Sequence, residues 1–158
     1  MFRRSLHLTS GRTYILWDCK LDKLLRRLRQ FLDSDYKCVL FTRHNPRFIK
    51  NHHENLEIVW VSEEKCGNSL PPVREHIMRK FNDFLMAHPV DSIVVFDVFD
   101  YLATPEDEKF DSTLNMFRTI IDRTAMTNNI LIVEISSKSF DETQRSHIER
   151  SGVEEMML

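Results

Sequence analysis

Short runs of continuous apolar residues alternate along the chain with longer segments in which apolar residues recur every three or four positions. The short runs predict strands that are buried on both faces, because a sheet with one solvated face would show alternating apolar and polar residues. Five such runs occur, at 14–17 (YILW), 38–42 (CVLFT), 58–61 (IVWV), 92–97 (SIVVFD) and 130–135 (ILIVEI). The pattern therefore predicts five strands with helices on both sides.

The segments between these runs carry the periodicity of helices. Residues 21–32 place leucines and phenylalanine on one face and basic side chains on the other, which predicts an amphipathic helix. Further helices are predicted over 47–53, from Pro71 or Pro72 to before Pro89, over about 111–126, and after Ser139 as an N-cap. Residues 6–16 (LHLTSGRTYIL) suggest a short N-terminal hairpin with its turn at Ser10-Gly11.

Strands that alternate with helices predict an α/β fold with three layers. We expect a mostly parallel five-stranded sheet with helices on both faces and right-handed crossovers. No repeat, low-complexity segment or linker divides the chain, so residues 1–158 are expected to form a single domain. A short strand or hairpin would precede its core, and a tail would follow Gly152.

Charge and composition exclude several classes of partner. The 22 basic and 24 acidic residues give a net charge of -2, which favours neither nucleic acid nor an anionic membrane. The basic stripe of the first helix, Lys23, Arg26, Arg27 and Arg29, is interpreted as a solvated face. No apolar run approaches the roughly 20 residues of a membrane span. Three cysteines without a CxxC pair indicate neither disulfides nor zinc, so a cytoplasmic protein is expected.

Polar residues follow the predicted strands at their carboxyl ends, where parallel sheets bind ligands. The candidate ligand-binding residues at these ends are Asp18, Arg43, Ser62, Asp97 and Asp100. Glu134 lies within the last strand and needs a partner if it is buried. Arg43 and Asp97 end different strands at the same edge and are expected to pair if those strands are neighbours.

Asp97 follows an apolar strand in the manner of the acidic residue that holds magnesium in nucleotide hydrolases. Catalysis by such an enzyme also needs a glycine-rich phosphate loop after the first strand. The chain reads WDCKLDKLL there, and its three glycines are isolated from one another. Half of a nucleotide site is therefore absent, which favours a binding domain over an enzyme.

Two other chemistries find equally little support in the sequence. Ser62 stands where receiver domains place their phosphate-accepting aspartate. No histidines are spaced four apart and no G-x-S-x-G motif occurs, so no catalytic residue, metal ligand or cofactor is assigned. A Ser/His/Asp grouping assembled only by the fold stays open.

The helix predicted over 111–126 is apolar on more than one side. Either both sides are covered within the chain, or one side meets a protein partner or a second copy of the chain. The chain also ends in an apolar MML sequence. The residues expected in such an interface are Met116, Phe117, Ile120, Met157 and Leu158.

Several motifs occur in an order that resembles a known family. They are FTRHNP (41–46), VWVS (59–62), SLPP (69–72), VVFDVFDYL (94–102) and ILIVEIS (130–136). Over about residues 12–150 the chain resembles the archaeal domain-of-unknown-function family 835. The resemblance implies a RecA/KaiC-like NTPase core without its phosphate-binding loop. It implies a non-catalytic regulatory or protein-interaction domain in archaeal signalling. The alternative is a domain that binds a small ligand or nucleotide at the strand edge around Asp97.

Overall fold

The sheet consists of seven parallel strands in the computed structural model, which describes residues 6–65 and 67–158. The strands are β1 (Thr13–Trp17), β2 (Lys37–Thr42), β3 (Leu56–Val61), β4 (Ser69–Leu70), β5 (Val90–Asp97), β6 (Asn128–Ile135) and β7 (Glu154–Glu155). Their order across the sheet is β4-β3-β2-β5-β6-β1-β7, and every pairing is parallel. The five predicted strands are confirmed, and β4 and β7 add one two-residue strand at each edge.

Within the described residues, five α-helices connect and cover the strands. They are α1 (Leu21–Asp33), α2 (Arg74–Ala87), α3 (Phe99–Ala103), α4 (Asp107–Ala125) and α5 (Glu142–Glu149). Two 3-10 turns, Pro46–Phe48 and Ser137–Ser139, follow β2 and β6. The crossover helices place the carboxyl ends of all the long strands at one edge of the sheet.

The core has two halves, one on each face of the sheet. Successive residues of a strand point to opposite faces, so Val94 and Phe96 pack with α2 and α4, whereas Ile93 and Val95 pack with α1. Both halves are closed to solvent, which explains why the strands are apolar without alternation. The predicted three-layer α/β architecture is confirmed.

An aromatic cluster fixes α3 against the rest of the domain. The ring of Phe99 lies 5.3 Å from that of Phe117 in α4 and 5.6 Å from that of Phe140, in edge-on arrangements. Phe110 completes the cluster at 5.5 Å from Phe140. This packing holds the short helix α3, and with it Asp100, beside the carboxyl edge of the sheet.

Some predicted elements differ from those observed. Residues 6–12 contain the turn at Ser10-Gly11, where Gly11 has a φ of +82°, but no strand that pairs back as a hairpin. The helix expected over 47–53 is only the 3-10 turn Pro46–Phe48, and α4 begins at Asp107 rather than at residue 111. Asp141, not Ser139, caps α5, because its side chain and that of Gln144 form a reciprocal capping box.

The apolar residues of α4 belong to the core of the chain. Met116 is 2% exposed, and Phe117 and Ile120 are fully buried between α4 and its neighbours. The expectation that these three residues form an interface is therefore wrong, because both apolar sides of α4 are covered within the chain. Met157 is 87% exposed, whereas Leu158 packs partly against the half of the core that contains α1.

No helix within the described residues is both long enough and apolar enough to cross a membrane.

Candidate functional site

A cleft runs along the carboxyl edge of the sheet above β2, β5, β6 and β1. We call it the strand-end cleft and distinguish three parts that share lining residues. The α3 part, of about 800 Å³, shares His44, Asp97 and Asp100 with the central part, of about 400 Å³. The central part shares Cys19, His44 and Glu134 with the α1 part, of about 720 Å³. A single small molecule can therefore contact more than one part.

Asp97 ends β5 at the floor of the cleft and is held by the neighbouring strand. Its Oδ2 accepts a hydrogen bond of 2.9 Å from the hydroxyl of Thr42, the residue paired with it in β2. The same hydroxyl accepts the backbone N–H of His44 at 3.0 Å. His44 Nε2 lies 3.6 Å from Asp97 Oδ2. Burial raises the pKa of Asp97, and the Thr42 hydrogen bond and His44 only partly oppose this.

Asp100 enters the cleft from the first turn of α3. Its Oδ2 accepts the backbone N–H of Ser136 at 2.9 Å, which ties α3 to the end of β6. Its Oδ1 is buried and has no hydrogen-bond partner among the described residues. Burial raises the pKa of Asp100 to about 6, with further increases from the charges of Asp97 and Asp18. This side chain lines the central part of the cleft and keeps one buried acceptor without a partner among the described residues.

Glu134 is the most buried acid of the cleft, at 8% exposure. It follows Val133, which pairs with Phe96, so its carboxyl group faces that of Asp97. Burial raises the pKa of Glu134, and the charges of Asp97 and Asp100 raise it further. Glu134 therefore retains its proton at neutral pH and donates it toward Asp97. Its Oε2 is buried and finds no partner within the described part of the chain.

Asp18 has a different role from the other three acids. It lies just after β1 with a φ of 54°, and its carboxylate accepts the N–H of Ser137 at 2.8 Å and the hydroxyl at 2.6 Å. These hydrogen bonds lower the pKa of Asp18. Both of its oxygens are used to hold the turn after β6. Asp18 thus has a structural role at the rim of the cleft, where its hydrogen bonds connect the end of β1 to the turn after β6.

Arg43 forms a wall of the α3 part instead of pairing with Asp97. Its guanidinium lies 4.6 Å from the centre of the Tyr101 ring, in a cation–π arrangement. Thr42 and His44 occupy the positions around Asp97 that Arg43 was expected to take. That expected pair is wrong, because the guanidinium packs on Tyr101 and forms no ion pair with Asp97 among the described residues. Its charge still contributes, as the smallest cause, to lowering the pKa of Asp97.

Ser62 lies outside the strand-end cleft. Its backbone N–H donates to Leu70 across β3 and β4, and its hydroxyl accepts the N–H of Glu64. It lines a neighbouring cavity of about 600 Å³, which shares Glu63 and Pro72 with the α3 part of the cleft. The fold therefore brings four of the five expected residues to one cleft and leaves Ser62 apart.

Basic side chains surround the opposite end of the cleft. Lys20, Arg26 and Lys50 line the α1 part beside Glu134 and Cys19. Asp22 also lies there, but it accepts the backbone N–H of Lys50 and the side-chain amide of Asn51. The cleft thus changes from acidic at its centre to basic at its α1 end.

The structure adds Thr42, His44 and Tyr101 to the residues expected from sequence. Thr42 is fully buried, and its hydroxyl ends an otherwise apolar strand, a signal that sequence reading passed over. Over residues 6–65 and 67–158, no three acidic, histidine or cysteine side chains are grouped so that they could hold a metal ion.

Comparisons with known proteins identify a family and a fold. A family model described as "Protein of unknown function (DUF835)" matches residues 19–151. The sequence matches no protein of curated function.

Solved archaeal structures share the fold. A KaiC-like protein of Pyrococcus horikoshii OT3 superimposes with a TM-score of 0.59 at 14% identity, over 83% of this chain and 65% of its own length. A second protein of that organism superimposes with a TM-score of 0.61 at 9% identity, over 94% of this chain and 83% of its own length. The flagellar accessory protein FlaH of Methanocaldococcus jannaschii superimposes with a TM-score of 0.56 at 14% identity, over 92% of this chain and 70% of its own length. At these identities the likeness establishes the KaiC-like, RecA-like fold alone.

Proposed function

The chain belongs to the DUF835 family of proteins of unknown function, and we propose that it is a non-catalytic regulatory domain that binds a small polar ligand in its strand-end cleft. The observation that carries the proposal is Glu134, which lines the centre of the cleft and whose buried Oε2 has no partner among the described residues. A buried acceptor without a donor is costly, and ligand sites are where proteins retain such groups. The position also suits the proposal, because α/β sheets bind ligands beyond their carboxyl ends.

The walls of the cleft do not favour the phosphates of a nucleotide. Three residues, Asp18, Cys19 and Lys20, separate β1 from α1, and none is a glycine. A phosphate loop wraps its ligand with consecutive backbone N–H groups, and this turn is too short to do so. The carboxylates of Asp97 and Asp100 would in addition repel a polyphosphate at neutral pH. A nucleotide is therefore the less favoured ligand on this scaffold.

The nucleophiles near the cleft do not form a catalytic arrangement. Burial raises the pKa of the Cys19 thiol, which leaves little reactive thiolate at neutral pH. The hydroxyl of Ser137 donates to Asp18, and no histidine bonds to that serine among the described contacts. These contacts support binding without turnover.

A thermal-shift screen tests the proposal. The wild-type protein is heated with a collection of small metabolites, and with ATP, GTP and cyclic nucleotides with and without Mg²⁺. We expect at least one metabolite to raise the melting temperature, and this rise to fall sharply in Asp100→Asn. The control Glu154→Gln lies on the edge strand β7, outside the cleft, and should respond like the wild type. The proposal is wrong if no compound stabilises the protein, or if all stabilisation survives Asp100→Asn.

A regulatory role also requires a protein that responds to the ligand. The exposed apolar side chains of Met86, Val90 and Met126 lie near the amino edge of the sheet, opposite the cleft. This surface supports association with another protein or a second copy of the chain. Light scattering with and without a stabilising compound tests the second copy, and a monomer under both conditions would leave a different protein as the partner.

A further inference from the structure

We propose that the ligand of the strand-end cleft is a zwitterion, with a primary ammonium group held by Glu134, Asp100 and Asp97 and an anionic group held near Lys20, Arg26 and Lys50. This inference rests on the proposed function and specifies the chemical class that the cleft recognises.

The acceptors at the centre of the cleft match an ammonium group. Glu134 Oε2 and Asp100 Oδ1 are both buried and unpartnered within the described residues, and both side chains line the central part. Asp97, the third acceptor, lines the same part and is 14% exposed. A primary ammonium carries three N–H donors and no acceptor, so it can donate to more than one of these carboxyl groups at once. A neutral hydroxyl supplies only one donor and would leave the other acceptors without partners.

The charges around these acids favour a cation. Asp97, Asp100 and Glu134 line the same part of the cleft, and burial first, with the charges of the neighbouring acids second, raises the pKa of Asp100 and of Glu134. Other ionisable groups that line the central part are Asp18 and Cys19 after β1, His44 after β2, and Lys138 after β6. Arg43 and Arg145 act from further away. A bound ammonium brings one positive charge, so it replaces the one proton that Glu134 holds, and that proton passes to the solvent.

The α1 part offers the opposite charge. Lys20, Arg26 and Lys50 line it, whereas its one acid besides Glu134, Asp22, is already bonded to Lys50 N–H and to Asn51. The basic side chains are exposed, which suits an anionic group that stays partly hydrated. Cys19, His44 and Glu134 line both parts, so one extended molecule reaches from the acids to the basic residues.

Titration calorimetry with three matched probes tests the inference. 6-Aminohexanoate carries both charges, 1-aminohexane carries only the ammonium, and hexanoate carries only the carboxylate. At pH 8 we expect 6-aminohexanoate to bind best, with a dissociation constant of about a millimolar, as suits a fragment of this size. 1-Aminohexane should bind more weakly, and hexanoate should give no heat.

The protonation of the cleft gives a second readout. Affinity for 6-aminohexanoate should rise between pH 5.5 and pH 8, because ammonium binding needs ionised carboxylates. Binding at pH 7 should release protons, which appears as a heat that depends on the ionisation enthalpy of the buffer.

Variants separate the two ends of the ligand. Glu134→Gln should weaken the binding of both amines by about tenfold, since a charged hydrogen bond is lost. Arg26→Gln with Lys50→Gln should leave 1-aminohexane unchanged and reduce 6-aminohexanoate to the same affinity. Glu154→Gln serves as the control and should match the wild type for every probe.

Several results would overturn the inference. Equal binding of hexanoate, stabilisation by Mg²⁺ in place of the amines, or amine binding that is insensitive to Glu134→Gln would each contradict it. If the metabolite screen finds a ligand in the cleft that carries no amino group, the zwitterion is wrong while the proposed function stands. If no compound binds at all, both are wrong.

Discussion

The carboxyl groups of Asp97 and Glu134 face each other from neighbouring parallel strands, one residue beyond the last paired residues of β5 and β6. Because both acids are largely buried, ionising both of them would cost much free energy. Glu134 therefore keeps its proton and donates it in a hydrogen bond to Asp97. Thr42, fully buried, fixes Asp97 from the other side. This pair makes the carboxyl edge of the sheet the best candidate for a ligand site.

The first prediction concerns the cost of the buried acids. The pKa of Glu134 is raised above its ordinary value near 4.5, so the folded chain holds a proton that the unfolded chain has lost as pH rises. The binding of this proton stabilises the folded chain fully below about pH 4.5, and this stabilisation is lost progressively as the pH rises through neutral pH. Glu134→Gln keeps a side chain of nearly the same shape but cannot ionise, so its stability does not decline with pH in this way. We expect the variant to be more stable than the wild type by about 1–2 kcal/mol at pH 8, with little difference at pH 4.5.

Urea denaturation at several pH values checks this prediction. The quantity to follow is the difference in the free energy of unfolding between the two proteins, which cancels the titration of groups that do not interact with Glu134. A difference that shrinks with rising pH, or a variant less stable than the wild type at pH 8, would refute the assignment of Glu134 as a protonated buried acid.

The second prediction concerns the hydroxyl that supports Asp97. Thr42→Val keeps the volume but removes the donor to Asp97 and the acceptor of the His44 N–H. We expect a loss of about 1–3 kcal/mol, because a buried acid and a backbone N–H lose their partner. Thr119→Val is the matched control, since its hydroxyl bonds only to its own helix on an exposed face. Equal losses for both variants in urea denaturation would show that the Thr42 contacts add nothing.

The third prediction separates core from surface in the apolar residues of the chain. Phe117 is fully buried in the aromatic cluster, so Phe117→Ala should cost about 3–5 kcal/mol of stability. Met157 is largely exposed, and Met157→Ala should change stability by less than about 0.5 kcal/mol. A stable, well-folded Phe117→Ala protein with altered light scattering would instead restore Phe117 to an interface.

The fourth prediction concerns the start of α5. Asp141 accepts the N–H of Gln144, and Gln144 bonds back to the Asp141 N–H. Asp141→Ala should therefore cost about 1 kcal/mol. Ser139→Ala, two residues earlier, should be nearly neutral in the same thermal denaturation experiment. The reverse order of losses would show that Ser139 is the cap after all.

The long strands and helices could be predicted because burial on two faces leaves a strong local pattern. Apolar runs such as IVWV and ILIVEI predict strands without any knowledge of which strands lie beside them in the sheet. β4 and β7 carry no such signal, because two-residue edge strands exist only through the strand beside them. α3 could not be predicted either, because five residues are too few to show helical periodicity. Its position depends on the aromatic contacts of Phe99, which are made with Phe110, Phe117 and Phe140.

The position of the candidate site could be predicted from sequence, but the set of residues that meet there could not. Parallel strands deliver polar residues at their carboxyl ends, and the structure places Asp97 and Asp100 at that edge as predicted. Which residues meet there depends on strand order, and the order β2-β5-β6-β1 places Glu134 beside Asp97 and leaves Ser62 at a distance. The apolar breadth of α4 was ambiguous for the same reason, because only the fold shows what covers each side.

Amide chemical-shift mapping tests the central claim, that the strand-end cleft is a ligand site, most directly. The protein is titrated with the compound that stabilises it most in the thermal-shift screen, and the amide signals are followed. We predict that the largest shifts occur at residues 42–44, 97–101 and 134–137, and that Asp100→Asn abolishes them. Shifts confined to the amino edge of the sheet around Val90 and Met126, or the absence of any stabilising compound, would contradict the account.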